Sequence, residues 1–285
     1  LVLQPPSTNN YPSYFASWLG LYKEEGVEVE ISQVAGASKI LEAVVSGSAD
    51  VGGGVYEQTL QMKAEGKPVV AFVSLLKSPN FAVLGGPGIR SLADLQGKTV
   101  GVSSVGSPSQ FYLTYLLKNA GVDPAQVSTA SVGMGAAAMA ALDRRQVEAA
   151  VLFGSAIPAY LARNPGSVIL ADTRTPEGLQ AAFHVDNYPA SCLLAQGEWL
   201  DAHPEEATKM ARAVLRSLAW LRSHSAEEIL AKVPNPGDAG PELAAIRLAQ
   251  PMYSNDGVIT KADAETVRGV LGLKVDVQGT FLAIK

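Results

Sequence analysis

Apolar and polar positions along this chain switch repeatedly between a strand period and a helix period. Leu1-Val2-Leu3 is a short apolar run closed by Pro5-Pro6 and reads as a strand. From about Pro12 to Lys23, Phe15, Trp18, Leu19 and Tyr22 recur every three or four residues, which predicts a helix stopped by Gly26. Val27 to Val34 alternates residue by residue and predicts a half-exposed strand. Ile40, Leu41, Val44 and Val45 share one face of a helix over Ala37–Val45, with Gly47 as its stop. Asp50-Val51-Gly52 begins a strand, Glu57–Ala64 is helical, and Val69–Leu75 is a continuous apolar run suited to a buried parallel strand.

The same grammar repeats around a glycine-rich break at Gly85-Gly86-Pro87-Gly88. Strands are predicted at Phe81–Leu84, Thr99–Ser103, Ser128–Val132, Val147–Phe153 and Val168–Ala171. Between them lie a turn of helix at Ser91–Leu95 and helices opening at Ser107-Pro108, Gly135 and Pro158. After Asn187-Tyr188-Pro189 comes one more strand, Ser191–Ala195. The remainder reads as helices: a long amphipathic one over Pro204–Arg222, one opened by the capping box Ser225–Glu228, and two near Glu242–Gln250 and Ala262–Leu271.

Regular alternation of strand and helix predicts an α/β fold with mainly parallel sheets flanked by helices. The two breaks divide it into two lobes. Residues 1–85 plus 190–285 form a discontinuous first lobe that carries the terminal helices, and 86–189 form an inserted second lobe. Hinges are expected near 85–88 and 187–190, with a ligand cleft between the lobes. Ligands of such sheets bind at the carboxyl ends of strands, where helices begin.

The 285 residues are 47% hydrophobic and 17% charged, which excludes a wholly disordered chain. A net charge of −5 argues against nucleic acid as a partner. No apolar run approaches the ~20 residues of a membrane span. The single cysteine, Cys192, excludes an internal disulfide and the usual multi-cysteine zinc sites. His184, His203 and His224 have no metal-ligand spacing, so no metal is expected. No nucleophile elbow, dinucleotide fingerprint or phosphate loop with its lysine occurs, so no catalytic residue and no cofactor are assigned.

Five stretches carry a resemblance. They are Tyr14–Val29, the loop Ser46-Gly47-Ser48-Ala49-Asp50-Val51-Gly52, the run Ile89–Val102, Asn119-Ala120-Gly121-Val122, and Gln146-Val147-Glu148-Ala149-Ala150. In this order and spacing they resemble the solute-binding proteins of ABC importers for nitrate, sulfonates, taurine and thiamine-pyrimidine precursors. The resemblance implies the type II periplasmic-binding-protein fold and a periplasmic or extracytoplasmic location with the signal peptide removed. It also implies a monomer that captures a small organic solute by hinge closure and hands it to a membrane permease. Binding, not catalysis, is then the expected role. A relative of this fold makes the thiamine pyrimidine with a cysteine-rich motif, which a chain with one cysteine lacks. That synthase-like reading and a ligand-sensing input domain are the alternatives.

Strand ends supply the candidate ligand contacts. Gly106, Ser107, Pro108, Ser109 and Gln110 open a helix whose N–H groups suit an anion or a carbonyl oxygen. The matching loop of the resembling family contacts the ligand's acidic group; a capped helix without a ligand is the alternative. Gly36, Ala37 and Ser38 open another helix with small residues. Gly54 closes a run of three glycines that calls for a geometric reason. Tyr56 is expected to line the cleft. Glu57 either meets a donor or cation on the ligand or simply complements a helix N-terminus. Asn10 and Tyr11 follow the first strand, and Tyr11 would stack on a planar ligand. Ser78, Met134, Phe153 and Asn187 fall at other strand ends, where single apolar residues are more often core. Lys39 and Lys77 are the nearest cations. An anion would therefore rest on amides and hydroxyls, and the expected ligand is a carboxylate or sulfonate, aromatic bodies included.

Overall fold

The computed structural model describes residues 1–34, 36–67 and 69–283. Its strands are β1 (Val2–Leu3), β2 (Ser32–Gln33), β3 (Val51–Val55), β4 (Val69–Ser74), β5 (Phe81–Gly85), β6 (Thr99–Val102), β7 (Ser128–Ser131), β8 (Ala149–Phe153), β9 (Val168–Asp172) and β10 (Ser191–Gln196). They form two five-stranded sheets, ordered β2-β1-β3-β10-β4 and β7-β6-β8-β5-β9. In each sheet three strands run parallel at one side. One antiparallel strand, β10 or β5, is then inserted before the last. The two sheets therefore share one topology, with flanking helices supplying the crossovers that parallel strands require.

The contacts divide the chain into two units. The first holds residues 1–79, 187–234 and the chain from 250 onward; the second holds 80–186 and 235–249. This differs from the expected lobes in three places, the smallest being residues 187–189, which belong to the first unit and not the second. Phe81–Gly85 was expected to end the first lobe, yet it pairs with β8 from Phe81↔Phe153 to Gly85↔Ala149 and lies in the second sheet. The Ala239–Ala249 helix, expected with the first lobe, packs on the Ala156–Arg163 helix of the second unit.

In the first unit, the Pro204–Ser223 helix buries Ala207, Met210, Val214, Leu218 and Leu221 along one stripe. It packs on the Tyr11–Trp18 helix, where Phe15 meets Trp220 at 5.3 Å between ring centroids. The predicted helix over Pro12–Lys23 is broken at Gly20, whose φ of +75° turns the chain before Leu21–Glu24. Of the predicted strand Val27–Val34, only Ser32–Gln33 joins the sheet, because β1 is two residues long and offers no further partner.

The three glycines of β3 answer to packing. A Cβ on Gly52 would stand 2.6 Å from Ile40 Cγ2, on Gly53 2.3 Å from Leu3 Cδ2, and on Gly54 2.5 Å from Leu194 Cδ2. The Ala37–Val45 helix and both neighbouring strands thus close directly onto the β3 backbone. In the second unit, Ala82, Leu84, Ala138, Leu142, Ala150, Leu152, Ile157 and Tyr160 form the core beneath the sheet.

Candidate functional site

Each sheet has one place where neighbouring parallel strands send their forward connections to opposite sides. In the second unit β6 leads to β7, at one edge, while its neighbour β8 leads to β9, beyond β5. The carboxyl ends of β6 and β8 therefore flank a crevice, and ligands of open α/β sheets occupy such switch points. In the first unit the equivalent crevice lies between the ends of β1 and β3.

The second-unit crevice is built from the loops after β6, β7 and β8. Each opens a helix: Pro108–Asn119, Ala136–Asp143 and Ala156–Arg163. None of the three has a side chain bonded to its first-turn amides. Three helices that start elsewhere are capped by a side chain: Thr175 accepts from the Gly178 amide, Ser225 from Glu228, and Thr260 from Asp263. The starts after Asn10, Gly36 and His203 are not, so what sets the second-unit edge apart is that three such starts follow neighbouring strands. The loops 103–107, 132–135 and 154–155 contain no charged residue. Three helix ends, each worth roughly half a positive charge, thus stand here with no carboxylate to neutralise them. Gly133, Gly135 and Gly154 all have positive φ, which lets the backbone turn sharply into the helices.

Ser107 holds the N-cap position of its helix, yet its hydroxyl turns elsewhere. Ser103, Ser107 and Ser109 form a triangle of hydroxyl contacts at 3.0, 2.7 and 3.0 Å. Three hydroxyls carry three protons, so a closed ring spends all of them internally. The ring offers lone pairs to a ligand donor, or frees one proton when it opens toward an acceptor. Other loop donors are already engaged: Gly106 N–H donates to Gln110 Oε1 at 2.6 Å, and Val105 N–H to Ser131 Oγ at 3.0 Å. Gln110 is itself tied to Thr129 Oγ1, so it shapes the loop. Around this polar floor stand apolar groups. Val105 is 63% exposed and Met134 39% exposed. Phe153 is half-buried, 6.1 Å from Phe81, whose ring stacks on Tyr112 at 4.6 Å. Gly106, Ser107, Pro108, Ser109, Gln110, Met134 and Phe153, singled out in sequence, therefore share this one edge.

The first-unit crevice is more closed. Asn10 is buried and fully used: its Nδ2 donates to the carbonyls of Gln4 and Pro5, and its Oδ1 accepts from the Ser7 amide. It braces the loop after β1. Tyr11, expected to stack on a ligand, is 1% exposed and packs against Phe15 and Trp18. Tyr56, expected to line the cleft, is fully buried and its hydroxyl meets Thr280 Oγ1 at 2.7 Å. That burial holds its hydroxyl neutral far above the usual tyrosine range. Both tyrosines are core because they sit on the inward side of the first helical turn after a strand. Glu57 is buried too; Tyr188 donates to its Oε1 at 3.0 Å. Burial, with Glu57 nearby, pushes the Cys192 thiol well up and keeps it protonated. Gly54 is a packing glycine, and Ser78 is buried. Gly36, Ala37 and Ser38 do reach the surface, at another helix start without a side-chain cap. Asn187 is drawn to Asp263 and stands apart from the β1–β3 crevice.

Sequence reasoning placed a helix start at Gly135 but named neither it, Ser103 nor Ala136-Ala137-Ala138 as part of a site. Their signal is an absence: Gly135 is followed by three alanines, with no Ser, Thr, Asp or Asn at the cap.

A family model described as NMT1/THI5 like matches residues 7–228. The chain belongs to the NMT1/THI5-like family. A structure from Bordetella bronchiseptica RB50 superposes with a TM-score of 0.90 at 32% identity, covering 99% of this chain and 93% of that one. The periplasmic aliphatic sulphonate binding protein SsuA of Escherichia coli superposes with a TM-score of 0.76 at 18% identity, over 98% and 95% of the two chains. The fold is thus that of the periplasmic binding proteins, as the resemblance implied.

The family also corrects one expectation. The chain was expected not to be an enzyme. A Schizosaccharomyces pombe relative, 34% identical over 128 residues, is named 4-amino-5-hydroxymethyl-2-methylpyrimidine phosphate synthase, and several others at 32–34% identity share that name. Membership in this NMT1/THI5-like family therefore does not separate binding proteins from enzymes. The match covers 44% of this chain and 36% of the S. pombe protein.

Proposed function

We propose that this protein binds a small organic solute whose acidic group rests on the helix N-termini of the second unit. The observation that carries this reading is the convergence of three uncapped helix starts at one sheet edge without a charged side chain. The apolar rim of Val105, Met134 and Phe153 suits an apolar or aromatic body, which a bare inorganic anion lacks. The wider reading follows the fold's neighbours. The solute is captured outside the cytoplasm by closure of the two units about the segments that join them, and a monomer delivers it to an ABC permease.

A thermal-shift screen tests the proposal. The panel holds aliphatic and aromatic carboxylates, sulfonates, taurine, nitrate and 4-amino-5-hydroxymethyl-2-methylpyrimidine with its phosphate, the last pair taken from the names of the curated relatives. A ligand at 100 times its Kd adds ~2.7 kcal/mol, and for a chain of this size each kcal/mol raises Tm by roughly 2–4 °C. The expected outcome is a shift of roughly 5–10 °C for one class of organic acid, with nitrate inactive. A shift by nitrate alone, or by uncharged members alone, would sink the proposal.

A further inference from the structure

A smaller cavity of about 250 Å³ lies wholly within the first unit, beside the end of β4. Ser74, Lys77, Asn187, Asp256, Thr260 and Asp263 are among the residues that line it. Its frame is held by the backbone. Lys77 N–H donates to Met252 O at 2.7 Å, Ser74 N–H to Gly257 O at 2.7 Å, and Tyr188 N–H to Lys77 O at 2.9 Å.

Three groups in this frame lack a complement. Asn187 donates through Nδ2 to Asp263 Oδ1. A carboxylate accepts only, so this bond fixes which way the amide faces. Its Oδ1 is then left buried, and no protein group donates to it. Lys77 is half-buried, and among the described residues its ammonium has no ion pair or hydrogen bond. Asp256 is exposed; its Oδ1 accepts the Val258 amide at 3.0 Å, which leaves the second oxygen of that carboxylate facing solvent at the cavity mouth. Asp263, by contrast, is spent: its Oδ2 takes the Thr260 amide and hydroxyl at 2.9 and 2.7 Å.

An occupant that satisfies this set must bring an anionic acceptor for the lysine. It must also bring a cationic or neutral donor that reaches a buried amide oxygen and a carboxylate. The volume is that of about eight waters, too small for a nucleotide and sufficient for a few heavy atoms. We propose that this cavity is a site for a small α-amino acid. Its carboxylate pairs with Lys77, and its ammonium lies between Asn187 Oδ1 and Asp256. The site is independent of the solute crevice in the second unit: it shares no residue with it, and either could fail alone.

Calorimetric titration of the full chain with L-serine, glycine and L-alanine tests this. At least one should bind, and Lys77→Met and Asp256→Asn should each weaken it about tenfold or more. Lactate lacks the ammonium and ethanolamine lacks the carboxylate, so each should bind about tenfold more weakly than the amino acid. Lys77 is half-buried and Asp256 exposed, so both variants should keep the wild-type melting temperature within about 2 °C. Absence of binding by all three amino acids at about 10 mM, which marks a cavity filled by water only, would overturn the proposal. Equal affinity of wild type and Lys77→Met would overturn it as well.

Discussion

Replacing Gly53 by valine is expected to destabilise the fold by about 3 kcal/mol, near the upper end of overpacking costs. For a chain of this length that lowers the melting temperature by roughly 6–12 °C. The new Cβ would lie 2.3 Å from Leu3 Cδ2, and Leu3 is fully buried with nowhere to retreat. The two outer carbons of valine must then displace β1 or twist β3. Gly166→Ala is the matched control, since its Cβ would meet nothing within 4 Å and its φ is not in the left-handed region; its melting temperature should stay within about 2 °C of wild type. Differential scanning calorimetry decides the matter. If the glycine run existed to admit a ligand, Gly53→Val would keep its stability and lose binding; a loss of stability first is the packing outcome.

Ala136→Glu is expected to separate stability from binding. Ala136 is the exposed first residue of the Ala136–Asp143 helix, at one of the three uncapped starts. A carboxylate in a first turn favours the helix by ~0.3–1 kcal/mol, so the variant should melt at or slightly above the wild-type temperature. The same carboxylate occupies the positive end on which the solute's acidic group rests. Two like charges about 5 Å apart repel by ~3 kcal/mol at an effective dielectric of 20, and solvent at an open edge reduces this. Affinity for an acidic hit from the screen should fall by about 10- to 100-fold, while Ala136→Gln should stay within about threefold of wild type. Equal loss in both variants would point to shape instead of charge.

How much of this was legible in the sequence depended on the range of the interaction responsible. The helix Pro204–Ser223 and the capping box at Ser225 show in local periodicity, and the structure has both. Val69–Ser74 is a buried strand as its apolar run suggests, but it stands at the end of its sheet and pairs antiparallel with β10, not parallel as expected, because pairing direction is set by a distant strand. Phe81–Gly85 reads as a strand, but nothing within it says that it pairs with residues about seventy positions later. The same holds for the Ala239–Ala249 helix, whose docking surface lies on a distant element. The glycine triplet announced a need, and only tertiary packing of Leu3, Ile40 and Leu194 reveals which. At the candidate site, Ser107-Pro108-Ser109 was visible because Pro at a helix start leaves a positive signature. The neighbouring helix start at Gly135 was legible as a helix but not as part of the site, because what marks it there is a missing cap. Tyr11 and Tyr56 were misjudged because a strand end does not disclose which side of the next helical turn faces inward.

The central claim is that charge on the solute is held by backbone helix ends in the second unit. Its most direct measurement is a calorimetric titration of the wild-type protein with the best carboxylate or sulfonate from the screen, set beside that compound's uncharged amide. The account predicts that the amide binds at least about tenfold more weakly and that Ala136→Glu narrows the gap. Equal affinity of acid and amide for the wild-type protein would contradict it.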